Sequence, residues 1–147
     1  MTLEEHHRQL EQMYHGAPCN EYYAPRITIG DGVCDLVIPV HPKLFHPAGA
    51  VHGSVYFKAL DDASFFAANS LVEGVLLLTA SFHVTMMRPV SSGEIRAHGH
   101  VVHAASQLLF ADAEARDSSG RVVARGSGTF VRSRIELTPG LGYRLPG

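Results

Sequence analysis

The amino-acid sequence reads as an α+β fold in which one antiparallel sheet wraps around one long central helix. Three observations carry that reading. Gly53 to Ser70 contains no Pro and no internal Gly, and Val55, Tyr56, Phe57, Leu60, Ala63, Phe66 and Ala67 spread apolar surface over most of its helical wheel, as in a helix buried in a core. After Gly74, four stretches separated by turn chemistry read as strands, and their short connections make sequence neighbours antiparallel. The 147 residues suit one core of ordinary size, and a sheet packed on a helix is a layer arrangement that satisfies both kinds of element.

In chain order, Thr2 to Tyr14 carries Leu3, Leu10, Met13 and Tyr14 at helical spacing, with Glu4 and Glu5 in the first turn where the helix dipole favours them. Gly16, Pro18 and Pro25 then break the chain. Ile27 and Ile29, followed by Leu36, Ile38 and Val40, alternate around Gly30-Asp31-Gly32 and predict a strand pair or one bent strand. His41 to His52, with Pro42, Pro47 and Gly49, predicts a long loop ahead of the helix. The later strands are expected over Val75 to Met87, Glu94 to His103, Leu108 to Arg116 and Val122 to Val131, with Asp117-Ser118-Ser119-Gly120 as the clearest hairpin turn. Residues 1–24 are thus a helix and linker, 25–134 the main domain, and 135–147 a loop or partner-contacting arm. Strand, long buried helix and four antiparallel strands, in that order, make the arrangement called a hotdog fold.

Twelve Lys and Arg against fourteen Asp and Glu leave a formal charge of −2, with no basic run to draw nucleic acid or an anionic membrane. Neither partner is expected. Met1 to Leu10 lacks the basic-then-apolar pattern of a signal peptide, and the longest apolar run, Val75 to Leu78, is far short of a membrane span. Cys19 and Cys34 fit no disulfide framework or zinc ribbon and are expected as reduced thiols in the cytoplasm. Ten histidines invite a metal reading, with His98 and His100 on one strand face. No acidic ligand stands at matching spacing, however, and HExxH and CxxC are absent, so neither metal nor cofactor is expected.

Chemistry concentrates at His46 to Ser54, which leads into the helix, and at Asp61 and Asp62 further along it. Gly53 and Asp61 lie on one helix face with ~12 Å of rise between them. The helix start offers unpaired N–H groups and partial positive charge suited to a carbonyl that becomes an oxyanion, and Gly53 allows close approach. A carboxylate on that face can deprotonate water or attack directly. Two exposed acids on a solvent face are the plainer reading of Asp61 and Asp62. Phe57, Leu60, Phe65 and Phe66 on the neighbouring faces argue against it, because an acid in so apolar a helix is costly unless used or paired.

Ala50-Val51-His52-Gly53-Ser54, Asp61, Asn69, and Met87-Arg88-Pro89-Val90 with Gly93-Glu94 resemble the signature of hotdog acyl-CoA thioesterases over residues 30 to 132. The phenylacetate-pathway branch is the nearest in pattern, with 4-hydroxybenzoyl-CoA thioesterases and the mammalian thioesterase superfamily members as relatives. The resemblance implies Asp61 as base or nucleophile and the Gly53 N–H as the group that polarises the thioester carbonyl. His46 stands where relatives carry an Asn or Gln, and Thr79 where they carry a water-orienting Ser or Thr. It further implies acyl-CoA as substrate and a homodimer with composite sites, often a dimer of dimers. His52, Ser54, Asp62, His83, Arg88, His103 and Ser106 are the expected substrate contacts, with Arg125 a further candidate for the CoA phosphates. Phe57, Phe65, Phe66, Phe82 and Met86 would suit an aliphatic or aromatic acyl group or serve as core. A hotdog hydratase or dehydratase and a noncatalytic acyl-CoA-binding protein are the alternatives.

Overall fold

The computed structural model describes residues 1–147. Helix α1 (Leu3–His15) opens on a capping box: the Thr2 hydroxyl accepts the Glu5 N–H at 3.1 Å, and the Glu5 carboxylate accepts the Thr2 N–H at 2.9 Å. A single helical turn, α2 (Asn20–Tyr23), stands where the sequence reads as linker. It forms because the Asn20 amide donates to the Tyr14 carbonyl at 2.7 Å and folds the chain back on α1.

Strands β1 (Arg26–Gly30) and β2 (Val33–Pro39) are a true antiparallel pair, turned at Asp31-Gly32 with Gly32 at φ +72°. The expected loop contains a short 3-10 turn (Pro42–Leu44) and a tight reversal in which Phe45 bridges Val51. Helix α3 (Gly53–Asn69) follows, then β3 (Val75–Met86), β4 (Glu94–Ala104), β5 (Leu108–Arg116) and β6 (Val122–Glu136). All neighbours pair antiparallel in the order β1-β2-β4-β5-β6-β3, and α3 packs across one face. This is the hotdog arrangement.

Inward strand residues meet α3 in a main core that includes Ile29, Leu36, Ile38, Leu60, Ile95 and Ala115, and a smaller cluster gathers Val72, Leu77, Leu109 and Phe130. Glycine makes the close contacts possible. Gly99 of β4 lies directly under the α3 backbone at Ala63 and Ser64, and Gly126 and Gly128 of β6 leave room for the flat ring of Phe82.

The two sheet edges are treated differently. Along β1, α1 supplies the missing partners: Glu11 accepts the Ile29 N–H at 2.7 Å, His15 Nε2 accepts the Ile27 N–H at 3.2 Å, and Arg8 donates to the Ile29 carbonyl at 2.6 Å. The other edge, β3, runs twelve residues with β6 as its single neighbour.

β6 continues to Glu136, beyond the expected end at Val131, and the tail is docked rather than projecting as an arm. Tyr143 is buried, and its hydroxyl lies 2.6 Å from His6 Nδ1, while His6 Nε2 donates to the Asn69 carbonyl at 2.9 Å. Burial holds the His6 pKa below the ordinary histidine range, in keeping with a neutral ring that donates at Nε2 and accepts at Nδ1. His7 likewise reaches the Ser70 carbonyl, so two histidines of α1 cap the C-terminus of α3.

Candidate active site

The start of α3 is organised by histidines that act on backbone. His52 is the N-cap: its backbone is extended, and Nδ1 accepts the Ser54 N–H at 3.1 Å with the Ser54 hydroxyl 2.9 Å away. The Val55 N–H bonds the His52 carbonyl at 2.9 Å. Gly53 is left as the first-turn amide without an acceptor in the chain, at the positive end of the helix dipole. A Cβ on Gly53 would come 2.8 Å from the Met86 methyl carbon, so the tip of Met86 lies over this amide. His46 holds its own turn: Nδ1 accepts the Ala48 N–H at 3.1 Å, and its backbone N–H donates to the Ala50 carbonyl at 2.9 Å. A neutral ring bonded this way carries its proton on Nε2, which is then an N–H donor.

Asp61 lies two turns along α3, half-buried, and its Oδ1 accepts the Thr79 hydroxyl at 2.9 Å. Burial pushes its carboxyl up to about 6, Thr79 opposes the rise, the Asp62 charge adds to it, and Lys58 opposes it. Asp62 is tied into its own chain instead. The Tyr14 hydroxyl donates to Asp62 Oδ2 at 2.6 Å, and Lys58 Nζ sits 2.8 Å from the same oxygen. Lys58 is also 5.5 Å and 4.9 Å from the ring centres of Tyr14 and Tyr23. Both acids line a hollow of about 310 Å³ with Lys58, Thr79, Phe65 and Leu78, but their tasks differ: Asp62 docks α1 on α3, whereas Asp61 bonds only Thr79.

Several expected contacts fall elsewhere. A strict two-residue alternation puts His83 on the same side as Thr79, but a bulge between Thr79 and Ser81 shifts the register by one residue. Thr79 consequently faces α3, whereas His83 opens onto the outer sheet face with His100, Asp112, Glu114, Arg125 and Ser127. Arg88 and the His103–Ser106 turn also cannot share a ligand within one chain. Arg88 pairs with Val123 near the start of β6, while His103 and Ala104 pair with Phe110 and Leu109 at the opposite end of the sheet. Asn69, part of the sequence signature, is structural: Oδ1 accepts the Leu77 N–H at 2.8 Å and Nδ2 donates to the Val72 and Val75 carbonyls, fastening the end of α3 to β3. Of the expected acyl-lining residues, Phe65 and the buried Phe66 both line the hollow, and Phe57 and Phe82 stack edge to face at 5.4 Å. No three His, Cys, Asp or Glu side chains converge as metal ligands. The bonds of Tyr14 and Lys58 to Asp62 escaped the sequence reading, although Lys58 and Asp62 stand at the four-residue spacing of a helical ion pair.

Residues 48–124, from the turn before α3 to the start of β6, match the model of the thioesterase superfamily. The chain belongs to that superfamily. The matched stretch contains Gly53, Asp61 and Thr79 and leaves out α1, β1, β2 and the tail. Among solved structures, the Escherichia coli PaaI protein from the phenylacetic acid degradation operon superposes with a TM-score of 0.81 at 22% identity, covering 90% of this chain and 99% of that one. A thioesterase family protein from Silicibacter pomeroyi gives 0.77 at 25% identity, with 84% and 97% covered. The conserved protein PA5202 from Pseudomonas aeruginosa gives 0.75 at 28% identity, with 84% and 98% covered. Superfamily membership makes this a thioesterase-type hydrolase acting on a small-molecule thioester. No helix is long and apolar enough to cross a membrane.

Proposed function

We propose that the protein hydrolyses acyl-CoA thioesters, with Asp61 as general base and the Gly53 N–H as oxyanion donor. The observation that carries this reading is the Asp61–Thr79 pair: a half-buried carboxylate with one oxygen held by a hydroxyl and its pKa raised toward neutrality, facing an apolar hollow. In the proposed sequence the thioester carbonyl rests on the Gly53 N–H, with the His46 Nε2–H as a second donor. Asp61 takes a proton from water as its oxygen attacks the carbonyl carbon. The tetrahedral intermediate then expels the CoA thiolate, which recovers the proton from Asp61, leaving free acid and thiol.

Gly53 and Asp61 of one chain are ~12 Å apart along the helix, too far to serve one carbonyl, so the site takes Gly53 and Asp61 from different copies. The open β3 edge supports that pairing. β1 is covered by α1, whereas β3 is bare and flanked by exposed Leu78, Met86 and Met87, as suits a strand that pairs with a second copy. Sedimentation velocity should then give a dimer or a multiple of one, and a monomer at micromolar concentration overturns the shared site. Free Cys19 and Cys34 suit a reducing compartment such as the cytoplasm.

The deciding experiment offers the protein a series of acyl-CoAs, from acetyl to palmitoyl and including phenylacetyl, and follows free thiol. Release with at least one is expected, and binding without release would make this an acyl-CoA-binding protein. Because Asp61 acts as a carboxylate, kcat/KM should fall as pH drops through about 6. Asp62→Asn removes a charge that raises the Asp61 pKa, so this acid limb should move to lower pH. Gly53→Pro removes the oxyanion donor: proline suits the first helical position and the extended His52 before it, and Gly53→Ala, which adds a Cβ against the Met86 tip but keeps the N–H, is its control. The proline variant should cost about 2.7–4 kcal/mol of barrier, about 10²–10³ in rate, with little change in Tm.

A further inference from the structure

Beside the Asp61 hollow lies a larger one of about 640 Å³, built mostly from segments outside the family-matched stretch. One wall is the end of α1 and the turn after it, from Gln12 to Pro18, and another is the tail turn around Leu141. Tyr14, Ala17, Phe65, Phe66 and Leu76 line both hollows, so the two adjoin across these side chains. The shared wall is a cluster of ring edges, with Tyr14–Phe66 centroids at 5.1 Å and Phe65–Phe66 at 4.9 Å. The tail wall is held in place by the buried His6–Tyr143 hydrogen bond and by the close approach of Gly142, where a Cβ would come 3.3 Å from the Met13 Cα.

We propose that this second hollow receives the distal, uncharged end of the acyl group, so that α1 and the tail select medium- and long-chain apolar acyl-CoAs. The inference rests on the reading of Asp61 as the base that meets the carbonyl. With the carbonyl at Asp61, one arm of the substrate continues past Phe65 and Leu76. The chemistry of the lining says which arm: Lys58 is already paired with Asp62, and Arg144, the one charged side chain of the larger hollow, is exposed. Neither hollow offers an unpaired buried cation to the CoA phosphates. An apolar chain, in contrast, gains with every methylene it buries, about three- to fourfold in affinity for each. The combined space lies within the range of small-molecule pockets.

Two probes test the proposal independently of turnover and through it. Non-hydrolysable S-alkyl-CoA thioethers, from ethyl to dodecyl, should bind about three- to fourfold more tightly per added methylene once the chain passes Phe65, and kcat/KM for the matching acyl-CoAs should rise in parallel. Ala17→Phe adds bulk at the wall the two hollows share, where the proposed chain must pass, and Leu141→Trp, at an exposed position, fills the far end without disturbing the core. Each should lower the ratio of dodecyl to butyl affinity at least tenfold, and the two guard against misfolding in either one. Affinity independent of chain length in the wild type, or a ratio unmoved in both folded variants, overturns the proposal. Chain-length-dependent binding that both variants weaken, without thiol release from any acyl-CoA, would uphold the hollow and sink the hydrolase reading instead.

Discussion

Asp61→Asn is expected to lower kcat for thiol release by about 10²–10⁴-fold, the usual contribution of a positioned general base, while S-alkyl-CoA binding stays close to wild type. The amide keeps the shape of the carboxylate and its oxygen can still accept the Thr79 hydroxyl, so the variant removes proton transfer and little else. Stability should hold or improve. Burial already disfavours the Asp61 charge, and Asp62 beside it adds repulsion, so deleting the charge relieves a cost of the folded state. Kinetics with the best acyl-CoA and a thermal melt of the same sample check both halves. A variant that releases thiol at the wild-type rate would remove Asp61 from the mechanism.

The second large effect is on folding. Gly99→Val places a branched side chain where a Cβ alone would penetrate the Ala63 carbonyl and come 2.8 Å from the Ser64 nitrogen. These are backbone atoms of α3, which cannot yield as a side-chain tip can, so the helix would have to lift from β4 along its whole contact. Overpacking of this kind should cost about 3 kcal/mol or more and lower Tm by about 6–12 °C. Gly53→Ala is the useful contrast, because its new Cβ meets only the movable end of Met86. Its Tm should change far less, measured by the same melt.

Much of the architecture could be read from residue order. The apolar wheel of Gly53 to Ser70 became α3 nearly to the residue, and the four later strands begin at or within a residue or two of where turn chemistry set them. What periodicity missed were long-range events. α2 depends on one Asn20 amide reaching back to Tyr14, and the extension of β6 to Glu136 depends on β3 lying beside it. The ten histidines show the same limit. Composition hinted at metal or proton chemistry, yet His41, His46 and His52 each accept a backbone N–H two residues on, while His6, His7 and His15 bond the backbone of other elements.

At the site, sequence by itself determined the local parts: a glycine at the start of a buried helix, an acid two turns later, and the motif that marks the superfamily. Those features depend on spacing along one helix, and helical geometry converts spacing directly into position. Tertiary structure decided which face each strand residue presents and which acid is free. One extra residue in β3 sends Thr79 to Asp61 and His83 to the opposite face, because side chains on a strand alternate and a bulge inverts every position beyond it. The motif already pointed to Asp61, but the physical reason that Asp62 is engaged came only with α1, which arrives from the other end of the chain and brings the Tyr14 hydroxyl that, with Lys58, occupies Asp62, while Asp61 bonds Thr79 alone.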